Sequence, residues 1–180
     1  MTTSAVRSVY QPASVTSLEG LLFPDTYLIS GDKSATQVAQ EMLKLMERVG
    51  RQEGLDDSLN LVGRSPYEVL IIASIIEREA KVPQDRPKIA RVIYNRLTLG
   101  MPLEIDATLF YKQNSELSFP ALKAIDTPFN TYMYTGLPPT PISNPGRDSI
   151  AAALSPAPNP SAGNTLCREI QDGSPCIYLY

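Results

Sequence analysis

The sequence predicts an α+β fold, a mainly helical domain built around one buried central helix over about residues 66–81, with a small short-stranded sheet. Three observations predict it. Residues 65–80, SPYEVLIIASIIEREA, read as a helix that is apolar on nearly every side, and such a helix is buried. Two flanking stretches carry apolar residues at helical spacing. Short apolar runs broken by turn residues supply the strands.

The chain has 180 residues, enough for one domain with a real core, and a net charge of −3 that argues against nucleic acid as partner. Its longest apolar run is about eight residues, far short of the roughly 18 that span a bilayer. It contains no histidine, which removes His-based nucleophile systems and most zinc sites. Acid–base chemistry therefore falls to Asp, Glu, Tyr, Lys or Cys, and neither a cofactor nor a metal is expected.

In chain order, residues 1–17 lack periodicity and read as a tag, a linker or the tail of a preceding region. Residues 18–180 form the expected domain. LEGLLFPDTYLIS places two short extended pieces, over about 21–29, around the turn at Pro24-Asp25. Ser34 and Gln37 form a capping box for a helix to about Gln52, with Val38, Met42, Leu45, Met46 and Val49 as its stripe. A polar connection, 54–63, leads to the central helix, which Ser65 and Glu68 cap and Pro66 opens. Val82-Pro83 ends it.

Asp85 caps a third helix with Ile89, Val92, Ile93 and Leu97 on one face and Gly100 past its end. Residues 101–105 read as a strand, Asp106 as the cap of a short helix, and about 119–125 as a weaker helix. Nine of the sixteen prolines fall between Pro120 and Pro160, and a stiff loop of this kind usually forms a site or wraps a surface. Asn144-Pro145 opens a last helix to about Leu154. Residues 177–180 resemble a cut strand. Cys167 and Cys176 form either a small disulfide-closed loop, which implies an oxidising compartment, or two free thiols.

Two carboxylates stand at the end of the central helix. At 100° per residue they project about 160° apart, Glu77 beside Leu70, Ala73 and Ser74, Glu79 beside Ile72 and Ile75. A carboxyl buried beside apolar groups keeps its proton to higher pH, which suits a general acid. The alternative is an ion pair of Glu77 with Arg78, Arg86, Arg91 or Arg96. If the burial serves function, Glu77→Gln should abolish activity and leave the melting temperature unchanged or raised. Other candidates are Asn95 and Arg96, which either reach a ligand from a helix end or make a cap and a surface ion pair; Glu104 and Asp106 in PLEIDAT, where Asp106 also reads as a plain cap; and Asn130, Thr131 and Tyr132 in the stiff loop, whose amide and ring suit a sugar or are ordinary loop polarity. Glu19, Asp25 and Tyr27 around Pro24, together with Glu79, read as supporting residues.

Taken in order, LEGLLFPDTY, ASIIEREA, VIYNRL with GMPLEIDAT, FNTYMYTGLPPTPISNPG and AAALSPA resemble the successive signatures of the YceG-like family, over about Leu18 to Ala157. Tyr178-Leu179-Tyr180 matches the start of a further family segment. The resemblance implies a lytic transglycosylase that cleaves nascent peptidoglycan glycan strands internally, with its catalytic glutamate at Glu77. It implies 1,6-anhydro-N-acetylmuramic acid ends. The implied parent sits at the extracytoplasmic face of the bacterial cytoplasmic membrane, anchored by an N-terminal helix that this chain lacks, with penicillin-binding synthases as partners. Glu104 stands where the family commonly has Gln, and Ala107 where it commonly has Pro. A hydrolytic muramidase and a non-catalytic glycan-binding or synthase-docking module are the alternatives.

Overall fold

The computed structural model describes residues 6–113 and 116–160. Seven α-helices form among these residues: α1 Ala35–Glu53, α2 Ser58–Val62, α3 Pro66–Glu79, α4 Arg86–Thr98, α5 Asp106–Phe110, α6 Phe119–Lys123 and α7 Arg147–Leu154. The 3-10 turns Leu55–Asp57 and Pro83–Asp85 lead into α2 and α4. No single described helix is long and apolar enough to cross a membrane.

The expected capping boxes form. The Ser34 hydroxyl accepts from the Gln37 N–H and the Ser65 hydroxyl from the Glu68 N–H, with the reciprocal bonds from Gln37 and Glu68 also made. Each satisfies N–H groups that a helix start leaves unpaired. Gly54 closes α1 at φ +91°, where a side chain would strain the backbone. In α3, Val69, Leu70, Ile72, Ala73, Ile75 and Ile76 are fully buried. It packs on α7 and α4, and α7 also touches α1. Burying a side chain of this size is worth about 1.5–3 kcal/mol, so α3 is the main source of core stability.

The proline-rich loop is latched to the middle of α3. Ser74 Oγ donates to the Ile71 carbonyl (2.7 Å) and accepts from the Ile142 N–H (3.0 Å), while the Ser143 hydroxyl donates to the Ser74 carbonyl (2.9 Å). Residues 6–17 lie against α1. Glu47 Oε1 accepts from Ser8 Oγ (3.0 Å) and the Val9 N–H (2.9 Å), and the Tyr10 hydroxyl donates to Asp56 (2.8 Å).

The expected small sheet is not found, so the α+β reading is corrected to a mainly helical fold: no strand forms among the described residues, only an isolated bridge between Pro102 and Thr135. Around Pro24 the Phe23 N–H donates to the Met42 carbonyl of α1 (3.3 Å), the Tyr27 hydroxyl folds back to the Phe23 carbonyl (2.7 Å), and Leu28 is 92% exposed. The apolar run over 21–29 therefore splits between helix packing and surface, with no ladder partner. At 101–105 the Arg96 guanidinium takes the Pro102 and Leu103 carbonyls (3.0 and 2.8 Å), and Glu104 turns to φ +52°. That uses up the acceptors and bends the backbone that a strand needs. The third expected strand, 177–180, and both cysteines lie outside the described residues.

Two helix starts also differ. α7 begins at Arg147 with Gly146 as its cap, because the Asn144 side chain is occupied by the Leu22 N–H (3.2 Å). Asp106 opens α5 without capping it, its carboxylate taken by Tyr132.

Candidate functional site

Glu79 closes α3 and lines a cavity of about 590 Å³. Its Oε1 accepts the Ala107 N–H at the start of α5 (3.2 Å). The face of α4 with Lys88, Ile89, Val92, Ile93 and Arg96 forms one wall, together with Asp85. Leu103, Glu104, Ile105 and Asp106 form another, and Tyr132 reaches in from the proline-rich loop. An apolar floor with a few converging polar groups is the usual make-up of a ligand site.

The polar groups of the wall are paired with one another. Arg96 is 3% exposed and pairs with Glu104 (3.0 Å), and Lys88 lies 3.7 Å from Asp85. The Tyr132 hydroxyl donates to Asp106 Oδ1 (2.5 Å). Burial, then the hydrogen bond to and charge of Asp106, with Glu104 and Glu79 adding, hold the Tyr132 proton well above the usual tyrosine range. Tyr132 therefore stays a donor. Glu79 and Asp106 form no ion pair among the described residues.

Asn130 and Thr131 sit behind this wall rather than in it. Asn130 is fully buried and donates from Nδ2 to the Lys123 and Ile125 carbonyls (3.0 and 2.9 Å), while its Oδ1 accepts the Tyr132 N–H (3.1 Å). Thr131 accepts the Ile105 N–H on its hydroxyl (3.0 Å) and the Glu104 N–H on its carbonyl (3.0 Å). The two orient Tyr132 and the 103–106 segment. Asn95 is buried and donates to Asn159 Oδ1 (2.8 Å), which ties the chain after α7 to α4.

Glu77 faces elsewhere, toward the start of α7, and is absent from the cavity wall. Its Oε2 accepts from the Gly146 N–H (3.0 Å) and the Ser149 hydroxyl (2.7 Å). It is half-buried and forms no ion pair among the described residues; Arg86 reaches it only through Ser149 Oγ (3.2 Å). A carboxylate on the first N–H groups of a helix is stabilised by the helix dipole. Of the remaining candidates, Glu19 accepts the Tyr111 hydroxyl (3.3 Å), Asp25 accepts the Thr26 N–H (2.8 Å), and Tyr27 bonds Phe23 as above. None of these three lines the cavity.

The structure thus gathers Glu79, Arg96, Glu104, Asp106 and Tyr132. The sequence offered no signal for Lys88, marked Asp85 only as a helix cap, and placed Ile89 and Val92 on the apolar face of their helix without a link to a site. Ser149 escaped notice too, although its spacing from Gly146 at a helix start carries the signal. Among the described residues no group of three or more His, Cys, Asp or Glu is arranged to hold a metal ion.

Known proteins share this arrangement of segments. A curated relative from Bacillus subtilis (strain 168), an endolytic murein transglycosylase, is 41% identical over 143 residues, 77% of this chain and 39% of the relative. One of the same description from Streptococcus pneumoniae serotype 2 (strain D39 / NCTC 7466) is 36% identical over 145 residues, 76% of this chain and 26% of that protein. The crystal structure of a yceG-like protein from Listeria monocytogenes superposes with a TM-score of 0.72 at 40% identity, covering 79% of this chain and 47% of that one. The chain spans well under half the length of the curated relatives it matches. The signatures of the YceG-like family match residues 2–162, and the chain belongs to that family.

Proposed function

We propose that this chain carries the glycan-cleaving centre of a peptidoglycan lytic transglycosylase and that Glu79 is its acid–base residue. The observation that carries the reading is the cavity, which Glu79 lines together with Arg96, Glu104, Asp106 and Tyr132. The names of the relatives supply the substrate class.

The chemistry needs one carboxyl group that gives and then takes a proton. Glu79, protonated, donates to the bridging oxygen of the β-1,4 bond between N-acetylmuramic acid and N-acetylglucosamine as the bond to C1 breaks. The muramic C6 hydroxyl oxygen then bonds to C1, its proton returns to Glu79, and a 1,6-anhydro ring forms. The proton count balances and no water is consumed. Because nucleophile and electrophile belong to one sugar, proximity supplies much of the rate. The Ala107 N–H fixes one oxygen of Glu79, and Tyr132 and Asp106 orient sugar hydroxyls and acetamides.

A second reading has one observation in its favour. Asp106 is a second carboxylate in the same cavity, and paired carboxyl groups are what a hydrolytic glycosidase uses. Product chemistry separates the two. Mass spectrometry of purified glycan strands digested with the chain is expected to find anhydro ends, absent with Glu79→Gln. Reducing ends would assign hydrolysis, with Asp106 as the base. Strands that bind but stay whole would assign a glycan-binding module. The family resemblance also supports action outside the cytoplasm by a membrane-anchored parent that works with penicillin-binding synthases. Co-purification of the anchored protein with such a synthase tests that part.

A further inference from the structure

Beside the cavity, α6 presents a second group of side chains that the reaction above does not use. Phe119 is 40% exposed and meets the Tyr132 ring edge-on, with centroids 6.1 Å apart at 84°. The Lys123 ammonium lies 4.0 Å from the Tyr132 ring centroid and 5.8 Å from that of Phe119. Two fixed points hold the Lys123 backbone and the Tyr132 ring. The Lys123 carbonyl accepts from Asn130, whose other end accepts the Tyr132 N–H, and the Tyr132 hydroxyl is tied to Asp106.

Lys123 forms no ion pair among the described residues. Among the described residues only the two rings lie against its charge, and a cation over a partly exposed aromatic face is held weakly enough to turn to an anion. The cavity makes such an anion's choice narrow. Lys88 and Arg96 already face Asp85 and Glu104, while Glu79 and Asp106 add negative charge. A carboxylate on a ligand in the cavity therefore meets four carboxylates and two cations already facing carboxylates in its walls, and Lys123 is the neighbouring cation in no ion pair among the described residues.

We propose that Lys123, held between Phe119 and Tyr132 beside the cavity, is a subsite that reads a carboxylate carried by the glycan strand, while the two rings pack against the apolar face of a sugar. The inference rests on the glycan-cleaving reading for its ligand. The carboxylate has two sources in murein. One is the lactyl ether of a strand stripped of its peptides; the other is an acidic residue of the stem peptide.

The test is binding of fluorescently labelled murein fragments to the full 180-residue chain, measured by anisotropy, with Glu79→Gln in every sample so that strands stay whole. Four probes are used: stem-bearing strands, amidase-stripped strands, and each of the two after its carboxylates are capped with methylamine. Lys123→Glu is expected to weaken binding of an uncapped probe about tenfold, Lys123→Gln about threefold, and neither to change binding of capped probes much. Lys112→Glu, the same charge change at a lysine over Tyr111, is the control and leaves all probes alone. Loss confined to stripped strands assigns the lactyl group; loss confined to stem-bearing strands assigns the peptide. Equal loss on capped and uncapped probes, no loss on either, or no binding by the parent chain overturns the proposal. Cleavage by the chain with Glu79 intact is assayed separately. Charge-selective binding without cleavage would overturn the transglycosylase reading and leave the Lys123 subsite standing.

Discussion

Replacing Glu77 with glutamine separates the two carboxylates of α3 by function. In the wild-type chain Glu77 Oε2 receives the Gly146 N–H and the Ser149 hydroxyl. A hydrogen bond to a charged group is worth about 1.5–3 kcal/mol and a neutral one about 0.5–1.5, so neutralising this acceptor costs about 1 kcal/mol for each donor. Loss of a negative charge at the start of α7 adds about 0.5 kcal/mol. The sum, about 2–3 kcal/mol, corresponds to a fall in melting temperature of roughly 4–12 °C for a chain of this size. Glu79→Gln loses far less, because the amide oxygen still accepts the one Ala107 N–H. Its effect falls on turnover, by a factor of about 10²–10⁴. Thermal unfolding followed by circular dichroism, with anhydro-product release from the same preparations, reads both quantities. Should Glu77→Gln lose all activity at an unchanged melting temperature while Glu79→Gln still cleaves, the roles are reversed and the cavity is not the catalytic one.

Two further outcomes follow from buried polar contacts. Asn130→Ala strands the Lys123 and Ile125 carbonyls and the Tyr132 N–H in a fully buried site, which should cost about 3 kcal/mol and show as a lowered urea midpoint together with reduced activity. Tyr94, whose hydroxyl reaches the Ala153 carbonyl (2.9 Å), holds its proton above the usual tyrosine range, chiefly through burial. With the folded pKa above the unfolded one, its contribution is fully present below about pH 10 and drains away as pH rises, by up to about 1.4 kcal/mol per unit. Urea unfolding at pH 8 and 11 should show that loss in the wild type and a smaller one in Tyr94→Phe.

What the sequence made legible is what local chemistry decides. Ser34 with Gln37 and Ser65 with Glu68 mark their helices because each cap is built from residues three apart. The opposed directions of Glu77 and Glu79 also follow from helix geometry alone. Which of them meets the cavity does not, since its walls come from α4, the 103–106 segment and Tyr132, distant in the chain. The strands failed for the same reason. Leu-Leu-Phe and Tyr-Leu-Ile have strand composition, yet Phe23 is claimed by Met42 of α1 and Leu28 faces outward. Asn144 has the residue type of a cap, and Leu22, more than a hundred positions earlier, occupies it.

The last turn of an isolated helix is its least secure part, because nothing follows to hold it and it frays. In α3 that turn is clamped from two sides by main-chain amides of other segments, Gly146 on Glu77 and Ala107 on Glu79. Neither amide can be removed by a point substitution other than proline. The hold on that turn therefore depends on where the loop before α7 and the start of α5 lie, since both donors belong to the main chain.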